Sequence, residues 1–224
     1  MSQSPYAVAR PVESVLVTNK LIRNTYTLLS MTLIFSAAMA GLSMAVGAPF
    51  GISLGCSLLA IVLVWFVIPR YRNSTAAIPL TFLFTGLLGF GLGPMLSHYV
   101  TAFSNGTELI MTAAGGTGAI FLGLSGYVMT TRKDFSFLGG FLFIGLLVGI
   151  LGGIGAAIFQ IPSLQLAISA MMILVASGLI LYDTSRIIRG GETNYVMATI
   201  SLFLDIIILF QHLLHLLGVF AGDD

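Results

Sequence analysis

Residues 135–158 read FSFLGGFLFIGLLVGILGGIGAAI, a run without a single charged side chain. Coiled as a helix rising 1.5 Å per residue, it is about 36 Å long, enough to cross a hydrocarbon layer about 30 Å thick. A helix that is apolar on every side belongs in a membrane or in a very large core. At 224 residues the chain cannot build such a core around every run of this kind. Six more runs of comparable length are present, at roughly 25–46, 51–69, 75–97, 107–130, 164–186 and 195–218. Between the first two, Gly47 and Pro49 supply the residues of a tight turn.

Composition agrees with the runs. The chain is 57% apolar and 8% charged, with mean hydropathy +1.04, where a soluble domain carries about 25% charge. Nine Lys/Arg against eight Asp/Glu leave a net charge of +1, so no charge excess invites nucleic acid. The lone Cys56 excludes an internal disulfide. Ala38-Met39-Ala40 imitates a leader-cleavage site, but the apolar run continues to Val46 and six spans follow, so the first run is read as a retained span. The expected fold is an all-α integral membrane protein, a bundle of seven transmembrane helices occupying residues 25–218. A polar arm, 1–24, precedes it, and a short tail, 219–224, follows.

Charge placement predicts orientation. Arg10, Lys20, Arg23, Arg70, Arg72, Arg132, Lys133, Arg186 and Arg189 fall in the N-terminal arm, in the loops after the second, fourth and sixth spans, or at the ends of those spans. The other loops and the C-terminal tail hold none. Positive-inside bias then puts the N-terminus in the cytoplasm and the C-terminus outside. Trp65, Tyr71 and Tyr99 lie near span ends, where aromatic anchors are expected.

Most of the 26 glycines read as packing. Gly145, Gly149 and Gly153 in the fifth span, and Gly86, Gly89 and Gly93 in the third, put small residues on one face, so that a neighbour can approach closely. Gly115-Gly116-Thr117-Gly118 lacks the Gly-Lys-Ser/Thr ending of a phosphate loop, and Gly89-Phe90-Gly91 lacks the strand of a dinucleotide site. Without a nucleophile–base set or a metal motif, no catalytic residue and no resident cofactor is expected, and the chain is read as not being an enzyme.

Two acids stand apart from the loops. Asp183 lies near the cytoplasmic end of the sixth span and Asp205 near the middle of the seventh. An ionised Asp at a helix centre costs about 2.5–3.5 kcal/mol even on the lenient insertion scale. Asn194, Ser201, Asp205 and His212 fall within about 40° of one line on their helix, a polar stripe that should face the interior and makes the last helix central. The short turn Gly190-Gly191-Glu192-Thr193 lets the sixth and seventh spans lie side by side. Should the two carboxyls meet, they share one proton and titrate as a pair, a proton-sensitive latch. Deprotonated, they would attract a hard cation such as Ca²⁺, though two carboxylates fall short of its usual six to eight oxygens. Local neutralisation of Asp183 by Arg186 at i+3 is the simpler alternative. His212 and His215 share nearly one face. They extend a polar path outward with Ser201, ligate a metal, or serve as hydrogen-bonded packing residues.

Leu179-Ile-Leu-Tyr182-Asp183-Thr184-Ser-Arg186, Gly190-Gly-Glu192-Thr-Asn-Tyr195 and Ser201-Leu-Phe-Leu-Asp205 resemble the signature of the Bax inhibitor-1, or transmembrane Bax inhibitor motif, family. Thr130-Thr-Arg-Lys-Asp134-Phe-Ser-Phe-Leu-Gly-Gly140 and Gly89-Phe-Gly-Leu-Gly-Pro94 also resemble it, and the likeness spans essentially the whole chain. Arg23-Asn-Thr-Tyr26 and the Thr130–Asp134 run are similar to its YccA-like bacterial branch. That resemblance implies a partner, the membrane-anchored protease FtsH, which such inner-membrane proteins modulate and which degrades them. Other bacterial members imply a pH-sensitive calcium leak sensed by an aspartate pair, here Asp183 and Asp205, with Arg70 as the candidate latch. Ile208 stands where the family often has Asn, which removes a polar neighbour of Asp205. Residues 1–24, fully extended, would reach about 80 Å as a handle for the protease.

Overall fold

The computed structural model describes residues 9–221, with side chains from Thr18 onward. Seven helices are long and apolar enough to cross a membrane, and no strand occurs among the described residues. They are α1 (Ala9–Ala45), α2 (Phe50–Tyr71), α3 (Ala77–Ala102), α4 (Gly106–Thr131), α5 (Gly139–Ile158, entered through a 3₁₀ turn at Ser136–Leu138), α6 (Pro162–Arg189) and α7 (Tyr195–Ala221). The chain is an all-α integral membrane protein. Residues 9–24, expected as an arm, continue α1 as helix without a break. Residues 1–8 of that arm and 222–224 of the tail lie outside the described residues.

Helix ends follow local chemistry. After α1, Gly47 takes φ +61° while the Ala48 N–H bonds the Ser43 carbonyl and the Gly47 N–H bonds that of Met44, a Schellman closure that needs a residue at ease in the left-handed region. Gly190 (φ +78°) ends α6 in the same way, with the Gly191 N–H on the Arg186 carbonyl. In α2, Pro69 has no N–H to offer the carbonyl one turn back. The preceding residues Leu63–Val67 widen into a π turn in which the Ile68 N–H reaches the Leu63 carbonyl.

α7 packs against α6, α4, α1 and α3, and so is the central helix. Leu202, Phe203, Leu209 and Leu214 on it are fully buried. By contrast, α2 rests on α3 and α5 on α6, and both present large apolar side chains outward, Trp65, Phe66, Phe141 and Leu151 among them. Close approach comes from glycine. A Cβ on Gly89 would strike the Ser36 carbonyl, and one on Gly93 the Ser43 side chain, so α1 and α3 meet almost backbone to backbone. On α5 the row that meets α6 is Gly145, Gly149 and Gly152; a Cβ there would meet Val175, Met172 and Ile168. Gly153, expected in that row, faces open space, because at 3.6 residues per turn the face advances by seven over two turns, not eight. Tyr99, expected as an interfacial anchor, is buried and stacked on Phe103 at 5.6 Å. Trp65 and Tyr71 are exposed.

Candidate functional site

Asn194 fixes the start of α7. Its Oδ1 accepts the N–H groups of Val196 (3.0 Å) and Met197 (3.1 Å), and its Nδ2 donates to the Arg72 carbonyl and to Asn73 Oδ1, each at 2.9 Å. One side chain therefore caps the central helix and ties it to the α2–α3 loop. Just before it, Glu192 Oε1 accepts the Thr193 and Asn194 N–H groups, each at 2.8 Å. Deeper in the helix, the Thr199 hydroxyl lies 3.2 Å from the Thr25 carbonyl of α1.

Against this frame α6 and α7 bring Asp183 and Asp205 together as neighbouring carboxyls. The two acids meet although Asp205 lies about 16 Å along its helix from Asn194 and Asp183 only about 10 Å from Gly190. A hydrogen bond between two carboxyls requires a proton on one of them, since an ionised carboxylate only accepts. Asp205 is 4% exposed and its Oδ2 has no partner. Asp183 is the more accessible member, its side chain 12% exposed. Its Oδ1 lies 3.5 Å from Arg186 Nη1, and Arg186 also stands over the Tyr182 ring. Asp183 thus takes part in both arrangements read from the sequence, the local ion pair and the inter-helix contact. Arg70 is exposed at the end of α2 and is in no ion pair with either acid. The cation beside the pair is Arg186, three residues along the same helix.

Two turns further along α7, His212 and His215 converge on Ser169 of α6, whose Oγ is 3.2 Å from His212 Nδ1 and 2.9 Å from His215 Nδ1. One hydroxyl has one proton, so at least one imidazole donates through Nδ1. Ser201 is half-buried and has no contact to this cluster. No group of three or more His, Cys, Asp or Glu that could hold a metal occurs among the described residues. Beside Ile206, the neighbour of Asp205, an apolar cavity of about 440 Å³ opens between α1, α3, α4 and α7.

Sequence reasoning missed the polar partners across helices. Ser169 is one. Ser185 is another, taking the Phe135 N–H at 3.1 Å and lying 3.3 Å from the Lys133 carbonyl. Ser125 and Thr184 bond each other at 3.2 Å. Serine and threonine are common in apolar helices, and nothing in their spacing marks which of them cross to a neighbour.

A seven-helix bundle whose central helix carries a buried acid beside a second acid defines a polytopic membrane protein. A family model described as "Inhibitor of apoptosis-promoting Bax1" matches residues 18–222, and the chain belongs to that family. It is 45% identical over 211 residues to "Modulator of FtsH protease YccA" of Escherichia coli K12, covering 94% of each chain. It is 48% identical over 213 residues to an uncharacterized membrane protein of Vibrio cholerae, covering 95% of each. A Pseudomonas aeruginosa protein is 42% identical over 225 residues, the full length of both.

Proposed function

We propose that this protein binds and modulates an FtsH-type protease in the bacterial inner membrane, with its N-terminus cytoplasmic and its C-terminus periplasmic. The carrying observation is 45% identity, over 94% of both chains, to an Escherichia coli protein named as a modulator of that protease. The distribution of arginine and lysine supports the orientation. A processive protease must grip an end, and residues 1–17 precede the first apolar span. Slow extraction of a tightly packed bundle from that end would occupy the protease and make the protein a poor substrate that competes with others. The test is co-purification and turnover of full-length protein against a chain lacking residues 2–17. Loss of both binding and degradation is expected on truncation; unchanged binding and unchanged degradation would contradict the reading.

The Asp183–Asp205 contact favours a second activity, a proton-gated leak for Ca²⁺. With one proton shared, the contact holds α6 against α7. With none, two carboxylates repel each other and present two negative groups to a cation. Calcium flux into liposomes should therefore rise from about pH 6 to about pH 8. No flux at either pH, or flux unaltered in Asp183→Asn and Asp205→Asn, removes this reading.

A further inference from the structure

At the basic end of the bundle, α1 near the start of its apolar span and the C-terminal ends of α4 and α6 enclose a notch of about 490 Å³. Besides Thr18, its walls are Asn19 and Ile22 of α1, Met129 and Arg132 at the end of α4, and Ile188 and Arg189 at the end of α6. All six lie within about one turn of the limits of apolar spans, which is the level of the lipid headgroups. The lower wall, Ile22, Met129 and Ile188, is apolar; the upper wall is amide and guanidinium.

The charge in the notch is unbalanced. Arg189 is engaged, with Nη2 3.3 Å from Asp134 Oδ2 and Nη1 3.4 Å from the Arg132 carbonyl. The Arg132 guanidinium pairs with no carboxylate among the described residues. Its backbone is fixed, in the left-handed region at φ +52° with its N–H on the Val128 carbonyl at 2.8 Å. The cap therefore positions Arg132 at the notch, and its guanidinium is in no ion pair among the described residues. Among the described residues, two guanidiniums against one carboxylate leave room for one negative charge.

We propose that this notch seats the headgroup phosphate of an anionic phospholipid, with Arg132 and the Asn19 amide on the phosphate and the first methylenes along Ile22, Met129 and Ile188. A guanidinium fork matches phosphate oxygens, and basic pockets between spans on the positively charged side of a membrane protein select acidic headgroups. The apolar lower wall distinguishes a lipid from a free anion, which would gain nothing from it.

The test is native mass spectrometry of the full-length protein released from detergent with equal phosphatidylglycerol and phosphatidylethanolamine. The wild type is expected to retain phosphatidylglycerol preferentially. Arg132→Asn removes the charge with a residue that tolerates the left-handed backbone, and should lower that retention about fivefold while leaving phosphatidylethanolamine unchanged. Lys133→Gln removes a neighbouring charge that stands over Tyr127 outside the notch, and should change retention less than about twofold. Equal losses in the two variants, or no preference in the wild type, would overturn the proposal. So would displacement of the lipid by soluble glycerol phosphate at matched concentration, an arm that uses the wild type alone and stands whether or not a variant folds.

Discussion

Asp205 sits where a membrane helix least tolerates a charge, and its neighbours explain how it stays. No basic side chain pairs with it among the described residues; a second carboxyl, Asp183, lies beside it and in turn reaches Arg186 near the edge of the bundle. Asparagine at position 205 would keep a hydrogen-bonding group of the same size but could not share the titrating proton. Asp205→Asn should therefore keep the fold and abolish any pH dependence of flux, as read by near-unchanged thermal stability together with level flux across pH. Leucine there would leave Asp183 without its partner, and should cost about 1–3 kcal/mol in unfolding measurements. A more ordinary acid shows the opposite setting. Asp134, in the α4–α5 turn, accepts from the Ser136 side chain and from its N–H and lies near Arg189, which hold its carboxyl below the usual range. A carboxyl held down stabilises the turn above its unfolded value, 3.8, and loses that contribution as pH falls through its lower folded value. Amide exchange at Ser136, corrected for intrinsic rate, should thus stay protected from neutral pH to about pH 4 and weaken only in stronger acid. In Asp134→Asn the acid-dependent loss should vanish.

At the scale of helices, glycine spacing decides how closely α1 and α3 approach. Gly89→Ala would drive a methyl group into the Ser36 carbonyl. Because backbone cannot step aside as a side chain does, it should cost about 1–3 kcal/mol and lower the thermal midpoint in detergent. Gly153→Ala, facing open space on α5, should be neutral or slightly stabilising in the same assay. If the two substitutions behave alike, close packing is not what Gly89 provides. Asn194→Ala removes both the cap of the central helix and the tie to Arg72 and Asn73. A loss of about 1–2 kcal/mol is expected, with the cap residues of α7 exchanging amide protons faster. The widened turn at Leu63–Val67 belongs to this scale too: its cause, Pro69, is plain in the sequence, but a proline near a span end can equally kink or terminate a helix.

For the molecule as a whole, what could be read ahead of the structure was whatever the bilayer enforces. A charge-free run such as 135–158 has one stable place to be, and the polar stripe through Asp205 on an apolar helix has one direction to face. Hence the seven spans and the central last helix were legible, and so was the placing of two lone acids near each other on helices joined by a short turn. Less legible was anything that depended on lateral distance. Arg186 beside Asp183 follows from their spacing of three on one helix, but only packing shows that Arg70 pairs with neither acid. Tyr99 lies where an anchor should be, yet the small Gly218 opposite lets it turn inward. Both proposed activities, protease binding and cation leak, would start from the same assembled bundle, and the proposed gate is the contact between α6 and α7. Infrared spectroscopy of the carboxyl stretching region across a pH titration tests that contact most directly. A proton shared between Asp183 and Asp205 predicts a single protonated-carboxyl band that either Asp183→Asn or Asp205→Asn removes or shifts. Two independent bands, each lost only with its own substitution, would show that the acids titrate separately and would contradict the shared-proton contact.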